Sequence, residues 1–221
     1  MKTSLTIPLA IVAGGIIVAV AVYASMPKAI APSIGNPALV RLVSTSDHIL
    51  GNPAAAVMIV EYSDFDCEFC KDFHYTLNQI IANAGTNGQV AWVFRHFPLS
   101  EIHPNARAHA RAAECIAVTS GNDAFWKFSN ALFANQPTDP SRYGALASSI
   151  GISGNSFAAC YSTAPSTLDA RITADRQNAL DMDAQRTPYS VILVNGKNPV
   201  VMDGAYSYDA VKQLVDQALG N

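Results

Sequence analysis

Runs of positive charge are missing from this sequence. Its 14 lysines and arginines are scattered through 221 residues and outnumbered by 17 acidic ones. No basic stripe is left to neutralise a phosphate backbone, so nucleic acid is not an expected partner. Cysteine is scarce too, at four, too few for a scaffold built from disulfides. Charged residues make up only 14% while half the chain is hydrophobic, which excludes a disordered chain, a coiled coil and a collagen-like repeat. There is no internal repeat, no phosphate-binding glycine loop, no dinucleotide fingerprint and no defensible Ser/His/Asp arrangement. No cofactor is therefore expected. The length suits one domain of about 150–200 residues with something extra.

The extra part stands at the N-terminus. Between Lys2 and Lys28 lie 25 positions without a charge. Within them, residues 5–26 are nearly all Ile, Val, Ala and Leu, and about 20 such residues in a helix cross a bilayer. Residues 1–26 are expected to be a membrane anchor touching lipid through residues 5–26. The alternatives are a signal cleaved at Val22-Tyr23-Ala24 and a buried soluble helix. Pro27, Pro32 and Pro37 then punctuate a semi-extended linker over residues 27–46.

In residues 47–221, periodicity gives the element order. Val57 to Tyr62 reads as a buried strand with one acid, Glu61, inside it. Cys67, Cys70, Phe73, Leu77, Ile80 and Ala84 mark one face of a helix. Gln89 to Phe94 is a second strand, parallel to the first by the right-handed crossover rule. Helical signals fill residues 104–184, with Phe125, Trp126, Phe128 and Phe133 as core. Ser190 to Val194 and Pro199 to Met202 form a hairpin around Asn195-Gly196, and Ser207 caps a last helix. The fold class is α/β: βαβ, a helical block, then ββα.

Cys67-Glu68-Phe69-Cys70 carries the chemistry. A helix N-terminus aims free N–H groups and the positive end of its dipole at Cys67, which favours the thiolate. Cys70, one turn deeper, can close a disulfide while shielded from attack, so Cys67 exchanges and Cys70 resolves. A structural zinc site would need four ligands. Cys115 and Cys160 are isolated, and His74 is too far from Cys67 to share a metal easily, so no metal is expected.

These residues resemble the DsbA-like branch of the thioredoxin superfamily, the bacterial extracytoplasmic disulfide oxidoreductases. The resemblance rests on Val60-Glu61-Tyr62-Ser63-Asp64-Phe65-Asp66-Cys67-Glu68-Phe69-Cys70, on Phe94-Arg95-His96-Phe97-Pro98-Leu99, and on Thr187-Pro188 ahead of the hairpin. It covers residues 47–221 and implies a thioredoxin fold interrupted by a helical insertion at about 104–184. Glu61 matches the family's buried acid, and a carboxyl in an apolar strand has a raised pKa and can relay a proton to or from Cys70. Pro188 matches the cis-proline facing the disulfide, with Thr187 touching the sulfurs. A Cys115–Cys160 bridge is implied by the family's second disulfide, with two free buried cysteines as the alternative. Arg95, His96 and His103 match the family pattern and are read as structural or surface residues.

Glu68 departs from the family, whose most oxidising members place a His between the cysteines. Its negative charge should raise the pKa of Cys67 and weaken the oxidant. The function expected is an extracytoplasmic, membrane-anchored enzyme that introduces disulfides into reduced or misoxidised exported proteins. A membrane redox partner would reoxidise it, and a monomer is expected. The alternatives are a reductase or isomerase of the same fold, and a non-enzymatic metal-binding or scaffold module.

Overall fold

The computed structural model describes residues 36–163 and 166–220. The expected anchor, residues 1–26, lies outside them, as does the first part of the linker. No helix among the described residues is long and apolar enough to cross a membrane.

Five strands form one mixed sheet: β1 (His48–Gly51), β2 (Val57–Ser63), β3 (Val90–His96), β4 (Tyr189–Val194) and β5 (Lys197–Asp203). Their order is β1-β3-β2-β4-β5. β2 and β3 are parallel, as the crossover rule demands, and every other pair is antiparallel. The described helices are α1 (Glu68–Ala84), α2 (Ala106–Ser120), α3 (Asn122–Ala134), α4 (Tyr143–Ser149), α5 (Gly154–Thr163), α6 (Ser166–Asp181) and α7 (Tyr208–Leu219). This is the thioredoxin-like α/β order with helices α2 to α6 inserted after β3.

The strand period of two decides which side chains meet which helices. Val57 and Ile59 of β2 face the core shared with Phe73, Leu77 and Ile80 of α1 and Val211 and Val215 of α7. Met58, Val60 and Tyr62 face the opposite way, against Ala179 of α6 and Met182. Glu61, being odd, falls on the α1 face, toward the helix that begins with the cysteines. The aromatic residues Phe125, Trp126, Phe128 and Phe133 are buried in that same core. The β4–β5 hairpin turns on Asn195 (φ 50°) and Gly196 (φ 71°), the left-handed pair that a two-residue hairpin loop requires.

Two findings go beyond the sequence reading. β1 is a short edge strand that periodicity did not mark. Residues 36–46, expected as the end of the linker, lie against the domain. Arg41 Nη2 is 2.6 Å from Asp175 Oδ1, its backbone N–H donates to Asn178 Oδ1, and Val40 and Val43 pack on the second core. Beneath them the fully buried Arg95 donates to Asp47 (2.9 Å) and to the Tyr62 hydroxyl (2.8 Å). A disulfide joins Cys115 of α2 to Cys160 of α5 across 45 positions, a loop whose closure stabilises by about 4 kcal/mol on the chain-entropy model.

Candidate functional site

Cys67 is the N-cap of α1, with extended φ/ψ of −76° and 123°. It follows the loop after β2, whose backbone is pinned where Cys67 N–H donates to Asp64 O (3.2 Å). The sulfur therefore sits over the unpaired N–H groups of the first helical turn. Cys70 follows one turn in and is completely buried, while Cys67 is 6% exposed. Both are free thiols. Cys67 Sγ lies 3.5 Å from Thr187 O, and the Thr187–Pro188 peptide bond is cis. The Asp64 N–H donates to Cys70 Sγ at 3.4 Å.

The two thiols are held in opposite directions. A hydrogen bond from Cys70, with others from Thr187 and the N–H groups of Phe69 and Cys70, outweighs burial and brings Cys67 down to about 6. Burial and the adjacent Cys67 charge push Cys70 well above the ordinary thiol value. The lowering of Cys67 survives Glu68, whose exposed carboxylate is screened by water. Glu61 is fully buried, and burial raises it to about 8. Its Oε2 accepts from Trp92 Nε1 (2.9 Å), while Oε1 has no partner at hydrogen-bond distance among the described residues. It is therefore a neutral acid at neutral pH, able to give up a proton below the cysteines.

A cavity of about 490 Å³ opens beside Cys67, lined by Asp66, Glu68, Phe69, Leu99, Ile102, His103, Arg186 and Thr187. Phe69 and Ile102 on its rim are among the few large apolar side chains left exposed. The fold thus gathers Cys67, Glu68, Phe69, Cys70, Thr187 and Pro188 at one place, with Glu61 beneath. Cys115 and Cys160 belong elsewhere, as the bridge within the insertion.

Sequence reading placed Asp64 in the matching run without a role, took His103 as structural or surface, and did not pair the two. Asp64 Oδ2 lies 2.9 Å from His103 Nδ1, a pairing across 39 positions that no local pattern announces. Asp66 pairs in the same way with the buried His109 (2.8 Å). His74, judged above too far from Cys67 to share a metal easily, meets Asn130 Oδ1 through Nε2 (2.6 Å). His48, His96 and Glu114 offer donor atoms within 4.8 Å of one another. Both Nε2 atoms and Arg171 Nε already converge on Glu114 Oε1, at 2.7, 2.8 and 3.1 Å. A dication placed there would face the Arg171 guanidinium in a buried setting, so this cluster reads as a closed carboxylate network.

Comparison with known proteins agrees with this geometry. The family model described as Thioredoxin matches residues 44–217. The structure resembles BdbD from Bacillus subtilis, at 25% identity and a TM-score of 0.68, covering 82% of this chain and 97% of that one. It also resembles alpha-DsbA1 from Wolbachia pipientis, at 20% identity and a TM-score of 0.71, covering 84% and 96% respectively. A curated relative is the Na(+)/H(+) antiporter NhaA 1 of Mycolicibacterium gilvum, 34% identical over 155 residues, which are 68% of this chain and 24% of that protein. The chain spans about a quarter of the length of such relatives. From the match over residues 44–217, the chain belongs to the thioredoxin family, and its helical insertion gives it the fold of the DsbA-like structures above.

Proposed function

We propose that this chain is an extracytoplasmic oxidase that passes its Cys67–Cys70 disulfide to reduced exported proteins. The observation that carries the reading is the opposed pair of thiols: Cys67 drawn down to about 6 and Cys70 raised. A stabilised thiolate favours the reduced enzyme and makes the disulfide the better electron acceptor. Lowering a thiol from about 8.5 to 6 favours the dithiol at pH 7 by about 1.4 kcal/mol, or about 30 mV in a two-electron couple.

In the donating direction a substrate thiolate attacks Cys67 Sγ from the open side. The Cys67–Cys70 bond breaks, its electron pair goes to Cys70 Sγ, and Glu61 supplies the proton that makes Cys70 a thiol. A second substrate thiol loses its proton to solvent and attacks the substrate sulfur of the mixed disulfide. The pair returns to Cys67, the substrate leaves oxidised, and Glu61 regains a proton from water. Reoxidation passes two electrons to a membrane redox partner.

Two features support the compartment. The Cys115–Cys160 bridge suits an oxidising environment, and the uncharged residues 3–27 suit an anchor in the envelope membrane. The exposed Glu68 is the feature that favours the reductase reading, since its charge opposes the thiolate. Mixing the oxidised protein with a reduced, unfolded protein rich in thiols decides the direction. The oxidase reading expects one disulfide to appear in the substrate for each enzyme dithiol formed. If instead the reduced enzyme strips disulfides from the folded substrate and the oxidised enzyme transfers none, the reductase reading takes its place.

A further inference from the structure

Among the five histidines, four are buried and His103 is the exception, its side chain 23% exposed. It lines the cavity into which Cys67 opens. Its backbone is fixed on both sides, its N–H donating to Leu99 O (2.9 Å) and its carbonyl accepting from Ala106 N–H (3.0 Å). Its Nδ1 meets the carboxylate of Asp64, whose side chain is completely buried. Asp64 in turn cannot turn away. Its Oδ2 accepts from the Leu99 N–H (2.8 Å) and its Oδ1 from the Asp66 N–H (2.9 Å). A buried carboxylate therefore fixes the ring and its tautomer, and leaves Nε2 without a hydrogen-bond partner among the described residues, at the mouth where a substrate thiol must arrive. That is how a general base is oriented.

We propose that His103, positioned by Asp64, takes the proton from the substrate thiol that attacks Cys67 and then stands as counter-ion to the Cys67 thiolate. This deepens the exchange reading above and rests on it. The substrate S–H gives its proton to Nε2, and the new thiolate forms the bond to Cys67 Sγ. The Cys67–Cys70 bond breaks with its electron pair on Cys70, protonated from Glu61. When the second substrate thiol, its proton lost to solvent, releases Cys67, the enzyme holds a thiolate opposite an imidazolium, and Glu61 regains a proton from water.

The groups facing the ring agree with that cycle. Asp64 and Asp66 come from the loop after β2, Cys67 and Glu68 from the start of α1, and Arg186 from the segment before β4. Glu101, on the ring's own loop, is paired with Arg176. Partial burial pulls His103 down, but Asp64, Cys67 and Asp66 together raise it. Oxidation of Cys67 removes one of these charges, so the ring releases its proton more readily in the state that needs a base.

The size of the effect is bounded by the substrate. About 3% of a thiol of pKa near 8.5 is ionised at pH 7, so a base can gain at most about thirtyfold. The test follows the loss of the Cys67–Cys70 disulfide in the oxidised full-length protein between pH 6.5 and 9.5. One probe is glutathione, and the other is an aryl thiol already ionised at pH 7. With glutathione His103→Gln is expected to be about tenfold slower at pH 7, the gap closing as pH passes the thiol's own pKa. With the ionised aryl thiol no gap is expected. Equal losses with both probes, a gap independent of pH, or no gap would overturn the proposal. If His103→Gln does not fold, the wild type decides alone. Its glutathione rate divided by the thiolate fraction rises from pH 9 to 7 if a base assists and stays constant if none does. A wild type that reacts with neither probe contradicts the exchange reading instead.

Discussion

Replacing Cys67 with Ser is expected to reduce disulfide exchange to the uncatalysed background, while Cys70→Ser leaves a stable mixed disulfide with substrate. The reason is the division of labour in the structure. Cys67 sits at the cavity mouth with its thiolate favoured down to about 6, whereas a serine hydroxyl at the same place does not ionise at neutral pH. Loss of an essential nucleophile in an enzyme costs several orders of magnitude in rate. Cys70 is completely buried and unreachable by a partner protein. Without it Cys67 still attacks a substrate disulfide, but nothing inside the enzyme resolves the product. Non-reducing electrophoresis of the purified variants checks both, and a Cys70→Ser protein that accumulates no adduct would remove Cys67 from the role of attacking thiol.

The largest effect on stability is expected from Asp47→Ala. Arg95 is fully buried, and its Nε and Nη2 reach Asp47 at 2.9 and 3.2 Å. Truncating Asp47 leaves that guanidinium buried without its facing carboxylate, a change worth about 3–5 kcal/mol. Replacing both residues with apolar ones of similar volume should restore much of the loss, because no charge then remains to solvate. The pH dependence has a definite sign. Burial raises Asp47, but Arg95, the Ser44 N–H and Arg41 lower it further, and it ends below its ordinary 3.8. Its contribution is complete above that ordinary value and disappears as pH falls through the lower, folded value. Urea titrations from pH 7 to pH 2 should therefore show a wild-type advantage over Asp47→Ala that shrinks with acid. An advantage independent of pH would mean that packing, and not the ion pair, supports this corner of the fold.

Much of the architecture was legible because local patterns carry it. The apolar run from Val57, the face from Cys70 to Ile80 and the Asn195-Gly196 turn are each decided within a few residues, and the crossover rule joins the first two strands. The helix N-terminus at Cys67 was legible for the same reason. β1 was not, because His48–Gly51 is four residues long with only His48 buried and shows no alternation. The docking of residues 36–46 was hidden as well. It depends on Arg41 meeting Asp175 across 134 positions, and prolines nearby suggested only extension. His103 was read only as structural or surface for a related reason: its pairing with Asp64 spans 39 positions and exists only once the chain folds. Long-range polar pairs are set by topology, which composition and period do not encode.

A disulfide donor of this kind requires a reversible Cys67–Cys70 couple that is more oxidising than thioredoxin. Equilibrating the protein with a glutathione series and counting free thiols at Cys67 and Cys70 measures it. A single two-electron transition above about −250 mV is predicted, on the oxidising side of thioredoxin at about −270 mV and below the strong oxidant DsbA at about −120 mV. A transition at or below about −250 mV would contradict the donor role, and the absence of any transition would contradict the enzyme itself.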